Sequence, residues 1–441
     1  MIKAGFARVD VTPPLGNVLS GYFEKRSSVG VLDPLELNAV CFGNENEQSL
    51  IIACDFTGMS MTCSEEVRAL ISARTGIAQE RIMLCSMHQH TSYRVGGLMR
   101  IASGIQDEAF MDVLYRKFCD VAQMALADAS EATLGSAKRD SLVPLSFIRR
   151  YIMEDGSIKT NPCEEEDGKP VDYCSQADNA VRLLRFKRNG KKDIALVSFS
   201  THADVIGGCL YSADWPGFVR RTVESDNLNT HCVCIVGCQG DSNHIDFLKP
   251  LETRPPKKDY EFSRHMGRVI ADTVKEMWEH TTPHTEETVY GGIKNAYNKT
   301  NTEGEEKFDE YVRIYEDVVS GKKTVDWDIY PRIRRIASLR NMPQYQTVPV
   351  TVLGFGDIAF VGFGGEPLTH YTFATEALPI LKDKTVFCVA LANGNEGYLI
   401  TDVAFDEGAY EANNTYFTKG LESACISIAE ELLTEFYDNE Q

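Results

Sequence analysis

The sequence lacks several features that would place the protein outside the class of soluble globular enzymes. No run reaches the ~18 apolar residues that a membrane-spanning helix needs. The N-terminus lacks the basic and apolar regions of a signal peptide, so we expect a cytoplasmic protein. Among the 13 cysteines no pair has the C-x-x-C spacing of a cysteine zinc site. Their odd number and their scatter through apolar runs predict buried free thiols in a reducing compartment.

Three common catalytic motifs are also missing. Without H-E-x-x-H the sequence has no metalloprotease site of the helical type, and without G-x-S-x-G it has no nucleophile elbow of the α/β-hydrolases. No G-x-G-x-x-G joins a strand to a helix, which argues against a dinucleotide site. Ser242 follows Gly240-Asp241, but its spacing identifies no partner histidine, so a serine nucleophile is disfavoured.

Positive charge is scarce as well. The chain has 45 Lys and Arg against 64 Asp and Glu, a net charge of −19. Nucleic acids and anionic membrane surfaces need a basic face, so we expect neither as a partner and look for a small molecule instead. Hydrophobic residues make up 43% and charged residues 25%, proportions that are typical of globular domains.

One local pattern occurs three times along the chain. Each copy has an apolar strand-like run, a helical segment and a second apolar run, and polar residues follow both runs. Such units build parallel sheets, and open α/β sheets bind ligands beyond the carboxyl ends of their strands. We therefore predict an α/β fold of mixed, mostly parallel sheets with helices packed on the faces. The apolar runs are residues 50–54 and 82–85, 194–199 and 232–236, and 358–363 and 386–391.

Three histidines and a glutamate follow these runs in a way that favours a metal site. His88 and His90 are two positions apart, so on an extended chain both imidazoles face the same side. His202 and Glu366 each follow the first run of a later unit. Each residue alone could be a surface, capping or core group. Together they supply the nitrogen and oxygen ligands of a catalytic zinc site with one position open for water.

In the order of its motifs the sequence resembles the neutral/alkaline ceramidases and their shorter bacterial relatives. The resemblance extends over nearly the whole chain. Its motifs are Asp10-Val11-Thr12-Pro13-Pro14, Ser86-Met87-His88-Gln89-His90-Thr91, Ser200-Thr201-His202, Ala213-Asp214-Trp215-Pro216-Gly217, Gln239-Gly240-Asp241, Gly365-Glu366-Pro367, Gly397-Tyr398 and Gly408-Ala409-Tyr410-Glu411.

The resemblance implies a mononuclear zinc amidohydrolase in which metal-bound water attacks an amide (N-acyl) carbonyl. By position, the family's zinc ligands correspond to His88, His202, Glu366 and Tyr398. Its catalytic positions correspond to His90, which would move the proton, and to Arg149 and Tyr410, which would stabilise the oxyanion. Its substrate-binding positions correspond to Asp241 and Asn243.

Some positions depart from the family pattern and widen the choice of substrate. Asn243 stands where ceramidases tend to have Ser, His244 where the family often has Pro, and Ile148 where it commonly has Asn. The first hypothesis is cleavage of an N-acyl amide, and it covers both sphingolipids and other N-acyl compounds. The first alternative is a zinc-dependent esterase or lactonase acting on a small polar metabolite. The second is a metal- or ligand-binding relative without catalysis.

The domain organisation predicted from the sequence is simple. Residues 1–441 form a single ceramidase-like catalytic domain with no C-terminal immunoglobulin-like domain. Polar helices are expected near residues 305–319 and 325–339 after an amphipathic one at 260–280. They place a helical insertion or lid at about residues 250–345. The pattern makes no prediction of the oligomeric state.

Overall fold

A long mixed sheet forms the centre of the molecule, as seen in a computed structural model. The structure describes residues 1–96, 107–226, 228–325, 327 and 329–438. Thr282–His284 pairs with one of the inner strands, Ser130–Asp140. In spatial order, the other strands of this main sheet are Thr230–Val236, Asp193–Phe199, Ala180–Arg188, Ser130–Asp140, Lys3–Asp10, Glu36–Gly43, Gln48–Cys54 and Ile82–Ser86.

A second sheet packs on the main one, and short strand pairs surround both. The second sheet has four strands in the order Val289–Lys299, Tyr345–Phe355, Ile358–Phe363 and Thr385–Val389. The short strands pair as Phe56–Met59 with Tyr93–Val95, Phe147–Ile148 with Ser242–Asn243, Glu366–Pro367 with Tyr398–Leu399, Gly30–Val31 with Leu210–Tyr211, Val18–Leu19 with Arg26–Ser27, and Arg150–Met153 with both Ile158–Thr160 and Pro170–Tyr173.

The predicted α/β class with mixed sheets is confirmed, and all three predicted units are present. In each unit the two strands pair in parallel, as expected from the connecting helix. One detail needs correction, because antiparallel rather than parallel pairs predominate in both sheets. The first strand of every unit is also the second strand of a hairpin. A tight turn can join only antiparallel strands.

The residues of the central strands alternate between two cores. Val40, Phe42 and Ile51 face the second sheet, where the ring centroids of Phe42 and Phe360 are 5.7 Å apart. Their neighbours Cys41 and Ile52 face the opposite side, which helices cover. Period-2 alternation of this kind is expected of strands that are buried on both faces. The result is a pair of stacked sheets, and the predicted helices pack on the outer faces.

The helices complete the layers around the sheets. Met61–Thr75 and Glu108–Ala127 cover the outer face of the main sheet, and Leu421–Asp438 covers that of the second. Within the described residues none of the helices is both long and apolar enough to cross a bilayer, and all 13 cysteines are free thiols. The other helices are Glu164–Asp167, Asp214–Ser225, Tyr260–Met277, Phe308–Val319, Tyr330–Ser338, His370–Glu376, Asp402–Glu407 and Ala409–Asn414.

Residues 250–345 contain more than the expected insertion. Helix Tyr260–Met277 packs against Asp214–Ser225, and strand Val289–Lys299 belongs to the second sheet. Helices Phe308–Val319 and Tyr330–Ser338, which pack on each other, resemble a separate helical element. Residues 326 and 328 of the predicted second helix lie outside the described residues. The lid and the single-domain organisation stay predictions.

Candidate active site

The carboxyl ends of the unit strands bring the predicted ligands together. His88 comes two residues after strand Ile82–Ser86 of the first unit, and His202 three residues after Asp193–Phe199 of the second. In the third unit Glu366 lies directly opposite Tyr398, because their two short strands pair in parallel. The site therefore draws on all three units, as the sequence pattern predicts.

Lone pairs converge between His88, His202 and Glu366. The Nδ1 atom of His88 lies 2.6 Å from the carbonyl oxygen of Thr57, and that of His202 lies 2.8 Å from the carbonyl oxygen of Gln239. Since a carbonyl oxygen can only accept, both Nδ1 atoms carry a proton, and in the neutral imidazoles the Nε2 lone pairs point into the site, where Nε2 of His90 and Nη1 of Arg149 are their nearest nitrogen neighbours.

These lone pairs face a carboxylate oxygen. The Nε2 atoms of His88 and His202 lie 3.2 and 3.5 Å from Oε2 of Glu366. This oxygen is buried and has no hydrogen-bond partner among the described residues. Acceptors repel one another at such distances unless a cation lies between them. A proton would serve only one of the imidazoles, whereas a metal ion would bridge all three groups, so the residues fit a metal.

The ionisation of the site also suits a cation. Burial raises the pKa of Glu366, but His88 and His202 outweigh this effect and hold it well below its ordinary value of 4.5. Burial lowers the pKa of His202 to about 3, and the Arg149 guanidinium adds to the shift. Burial lowers the pKa of His88 too, but the Glu366 carboxylate more than compensates. Glu366 is therefore ionised and His202 neutral, the forms in which both bind metals.

Arg149 connects Tyr398 to the rest of the site. Its Nη2 atom donates to the phenol oxygen of Tyr398 at 2.9 Å and to the carbonyl oxygen of Gly240 at 2.8 Å. Its Nη1 atom lies 3.4 Å from Nε2 of His202. Burial raises the pKa of Tyr398 well above its ordinary value of 10, and the guanidinium acts in the opposite direction. Arg149 thus favours the ionised phenol that a metal ion would bind.

Glu411 fixes Arg149 from behind. The Glu411 side chain is fully buried, and its carboxylate accepts from Nε of Arg149 at 2.8 Å, from Nη1 of Arg150 at 3.1 Å and from the hydroxyl of Thr160 at 2.8 Å. Burial raises its pKa, but the two guanidinium groups reverse the shift and lower it. The carboxylate is therefore an ionised anchor for both arginines.

His90 lies beside the converging lone pairs. Its Nε2 atom is 3.3 Å from Nε2 of His88, and the ring nitrogens of His88, His90 and His202 all lie within 4.8 Å of one another. These three histidines could hold a metal ion. The Nδ1 atom of His90 is 3.2 Å from Oδ1 of Asp204, a contact whose distance but not its angle suits a hydrogen bond. Asp204 also accepts from the phenol of Tyr22.

Tyr410 stands between the site and an aromatic cluster. The centroid of its ring is 5.8 Å from that of Tyr398, 5.2 Å from that of Trp327 and 6.2 Å from that of Phe23. Its hydroxyl oxygen lies 3.5 Å from Nδ2 of Asn414, a group that can only donate, so the phenol proton remains available for another acceptor.

The two predicted substrate-binding residues are engaged in contacts of their own. Oδ1 of Asp241 accepts from the backbone N–H and the hydroxyl of Thr369, both at 2.7 Å. Nδ2 of Asn243 donates to Oδ1 of Asn161 at 2.6 Å. Asp241 thus holds the chain three residues after Glu366, and Asn243 lies partly exposed. Their contact with substrate stays a prediction.

The fold matches solved structures although the sequence matches little. No family model and no curated protein matches the chain. Solved structures do match it, among them a neutral ceramidase from Pseudomonas aeruginosa and a ceramidase complexed with C2. Each aligns with a TM-score of 0.71 and 15% identity over 99% of this chain and 75% of the ceramidase chain. The chain has the fold of a neutral ceramidase.

The ceramidase fold confirms, at the level of structure, the resemblance seen in the motifs. Two residues of the site were missed from the sequence. Asp204 comes two positions after His202, the same spacing that drew attention to His88 and His90. Glu411 directly follows Tyr410 within a family motif. A search for carboxylates near the candidate ligands would have found both.

Proposed function

We propose that the protein is a zinc-dependent hydrolase that cleaves an amide (N-acyl) bond, with the ion bound by His88, His202, Glu366 and Tyr398. The observation that carries the proposal is the convergence of two imidazole nitrogens on Oε2 of Glu366, which has no hydrogen-bond partner in the part of the chain that the structure describes. Two histidines and a carboxylate with one position left for water are a usual ligand set for catalytic zinc. The likeness in fold to ceramidases supports an amide substrate.

The other residues of the site have separate tasks in this proposal. Zinc held by these residues would supply a water of lowered pKa and polarise the substrate carbonyl. His90 would take the proton from the attacking water through Nε2 and return it to the leaving nitrogen, while the charge of Asp204, 3.2 Å from Nδ1, favours the tautomer protonated at Nδ1. Arg149 and Tyr410 donate hydrogen bonds to the carbonyl oxygen as it becomes negative.

An ester or lactone of a small polar metabolite is the second candidate substrate. Its support is the amide of Asn243 at the position of the ceramidase serine, where it binds the amide of Asn161. Two side-chain amides at this position favour a polar group of the substrate over an acyl chain. The chemistry assigned to the metal and to His90 is the same for both substrates.

The first experiment measures metal content by mass spectrometry in protein purified without chelators or added metal. We expect about one zinc per chain in the wild type and almost none in His202→Ala. His370→Ala is the matched control, because His370 is largely exposed and pairs only with Glu422 among the described residues. It should keep the metal. Equal zinc in all three proteins would show that His202 is not a ligand.

A second experiment separates the roles and the substrates. His90→Gln should keep its zinc and lose activity if His90 moves a proton, whereas loss of zinc would make His90 a ligand. The zinc-loaded wild type and Glu366→Ala are then compared on N-acyl amides, esters and lactones. Hydrolysis of amides that disappears in Glu366→Ala supports the proposal. Hydrolysis of esters or lactones alone would select the alternative.

A further inference from the structure

Gln89 lies between the two histidines of the first unit but points away from them. Its Nε2 atom donates to Oδ1 of Asp55 at 2.8 Å and to the carbonyl oxygen of Ala213 at 3.3 Å. The backbone carbonyl oxygen of Gln89 accepts hydrogen bonds from the hydroxyls of Thr57 at 2.8 Å and Ser92 at 2.7 Å. Gln89 has no exposed surface. Both its side chain and its backbone are therefore held from the side opposite the site.

The segment that Gln89 anchors is strained. His88 has a φ of 64°, in the left-handed region that is unfavourable for a residue with a Cβ atom. A residue remains in such a conformation only where the surrounding contacts impose it. The neighbouring contacts are a backbone hydrogen bond from His88 to Phe56 and one from His90 to Ala203. Gln89 supplies the contacts between these two.

Asp55 extends the anchor to the second unit. This fully buried carboxylate follows the first strand of the first unit. It accepts from both Nη atoms of Arg220, at 3.0 and 2.5 Å, as well as from Gln89. Arg220 lies on helix Asp214–Ser225, the helix of the unit that carries His202. A continuous chain of buried hydrogen bonds thus joins the two units that provide the imidazole ligands.

We infer that Gln89 and Asp55 are positioning residues that set the separation between His88 and His202 and so determine the affinity of the site for its metal. The inference rests on the proposed function for the presence of the metal, and it assigns to Gln89 a task that the catalytic proposal does not include. Replacement of a group hydrogen-bonded directly to a ligand changes metal affinity by 10–100-fold. Because Gln89 acts on His88 through the backbone between them, we expect an effect at the lower end of this range.

The test is zinc affinity, measured by competition with a chromophoric chelator on the full-length protein. Gln89→Met keeps the length and burial of the side chain and removes both hydrogen bonds, so we expect its dissociation constant for zinc to rise at least tenfold. Val121→Ala is the control for general destabilisation. Val121 is fully buried on helix Glu108–Ala127, in a cluster outside the site, and this variant should bind zinc within twofold of the wild type.

A dissociation constant of Gln89→Met within twofold of the wild type would overturn the inference. If Gln89→Met does not fold, Ser92→Ala replaces it, since this milder variant removes only one hydroxyl donor to Gln89. We then expect the dissociation constant for zinc to rise about threefold. An unchanged dissociation constant would overturn the inference. The wild type could bind zinc but hydrolyse none of the tested amides, esters or lactones, while Gln89→Met binds zinc more weakly. That result would refute the proposed function and support the inference. A wild type that binds no zinc would refute both.

Discussion

Replacement of Glu411 by Gln should destabilise the protein more than any change to a surface ion pair. The amide keeps the shape of the side chain but leaves Arg149 and Arg150 without their buried counter-charge. Loss of one partner of a buried pair costs about 3–5 kcal/mol. At about 2.1 cal/mol/K per residue, the unfolding entropy of 441 residues is about 0.9 kcal/mol per degree. We expect the Tm to fall by about 3–5 °C at pH 7.

Calorimetry on the wild type, Glu411→Gln and one surface variant would check this magnitude. Glu431→Gln is the matched surface change, because Glu431 pairs with Lys294 while half its side chain is exposed. Exposed pairs contribute about 0–1 kcal/mol, so the Tm of this variant should fall by no more than about 1 °C. A Tm of Glu411→Gln that equals that of Glu431→Gln would refute the assignment of Glu411 as an ionised anchor.

Three further predictions concern titration and the surroundings of His90. Burial lowers the pKa of His244 to about 4, below the value of ~6.5 in the unfolded chain. The unfolded state therefore takes up the proton first, and stability that is present above pH 6.5 is lost as the pH falls towards 4, by about 3 kcal/mol in all. Urea unfolding at pH 7.5 and 4.5 should show a smaller loss for His244→Gln. Gly21 has a φ of 108°, and a Cβ atom there would lie 2.5 Å from Cγ of His90, so Gly21→Ala should keep its zinc but lose at least tenfold in kcat. Asp204→Asn removes the carboxylate charge that lies 3.2 Å from Nδ1 of His90 and favours the tautomer protonated there, so it should lose at least tenfold in kcat with unchanged KM and zinc content. Unchanged kinetics in either variant would contradict the role given to His90.

The three units and the site between them could be predicted because they depend on local rules. An apolar run followed by a helix and a second run leaves few topologies open, and polar residues beyond the strand ends of such units meet at one edge. His88, His202 and Glu366 are found where that rule places them. The placement of Tyr398 came from the resemblance, since a phenol after a strand has no distinctive pattern.

Other features depend on contacts between residues far apart in the chain. The antiparallel majority of the sheets follows from hairpins such as Tyr345–Phe355 with Ile358–Phe363, which periodicity alone does not distinguish from separate strands. The pairing of Glu411 with Arg149 joins residues 262 positions apart. No local spacing encodes such a pair, and without a set of related sequences the partner of a buried charge cannot be identified.

The distribution of the ligands over three units has a consequence for the biosynthesis of the protein. His88 and Tyr398 are 310 positions apart, and ribosomes add about 5–20 residues per second. About 15–60 seconds therefore pass between synthesis of the first proposed ligand and of the last. During this interval the first unit can fold, but no four-ligand site exists. With the proposed ligand set, metal capture would be a late event that follows the docking of the third unit, and a nascent chain that stalls before Glu366 would present its histidines without a carboxylate partner.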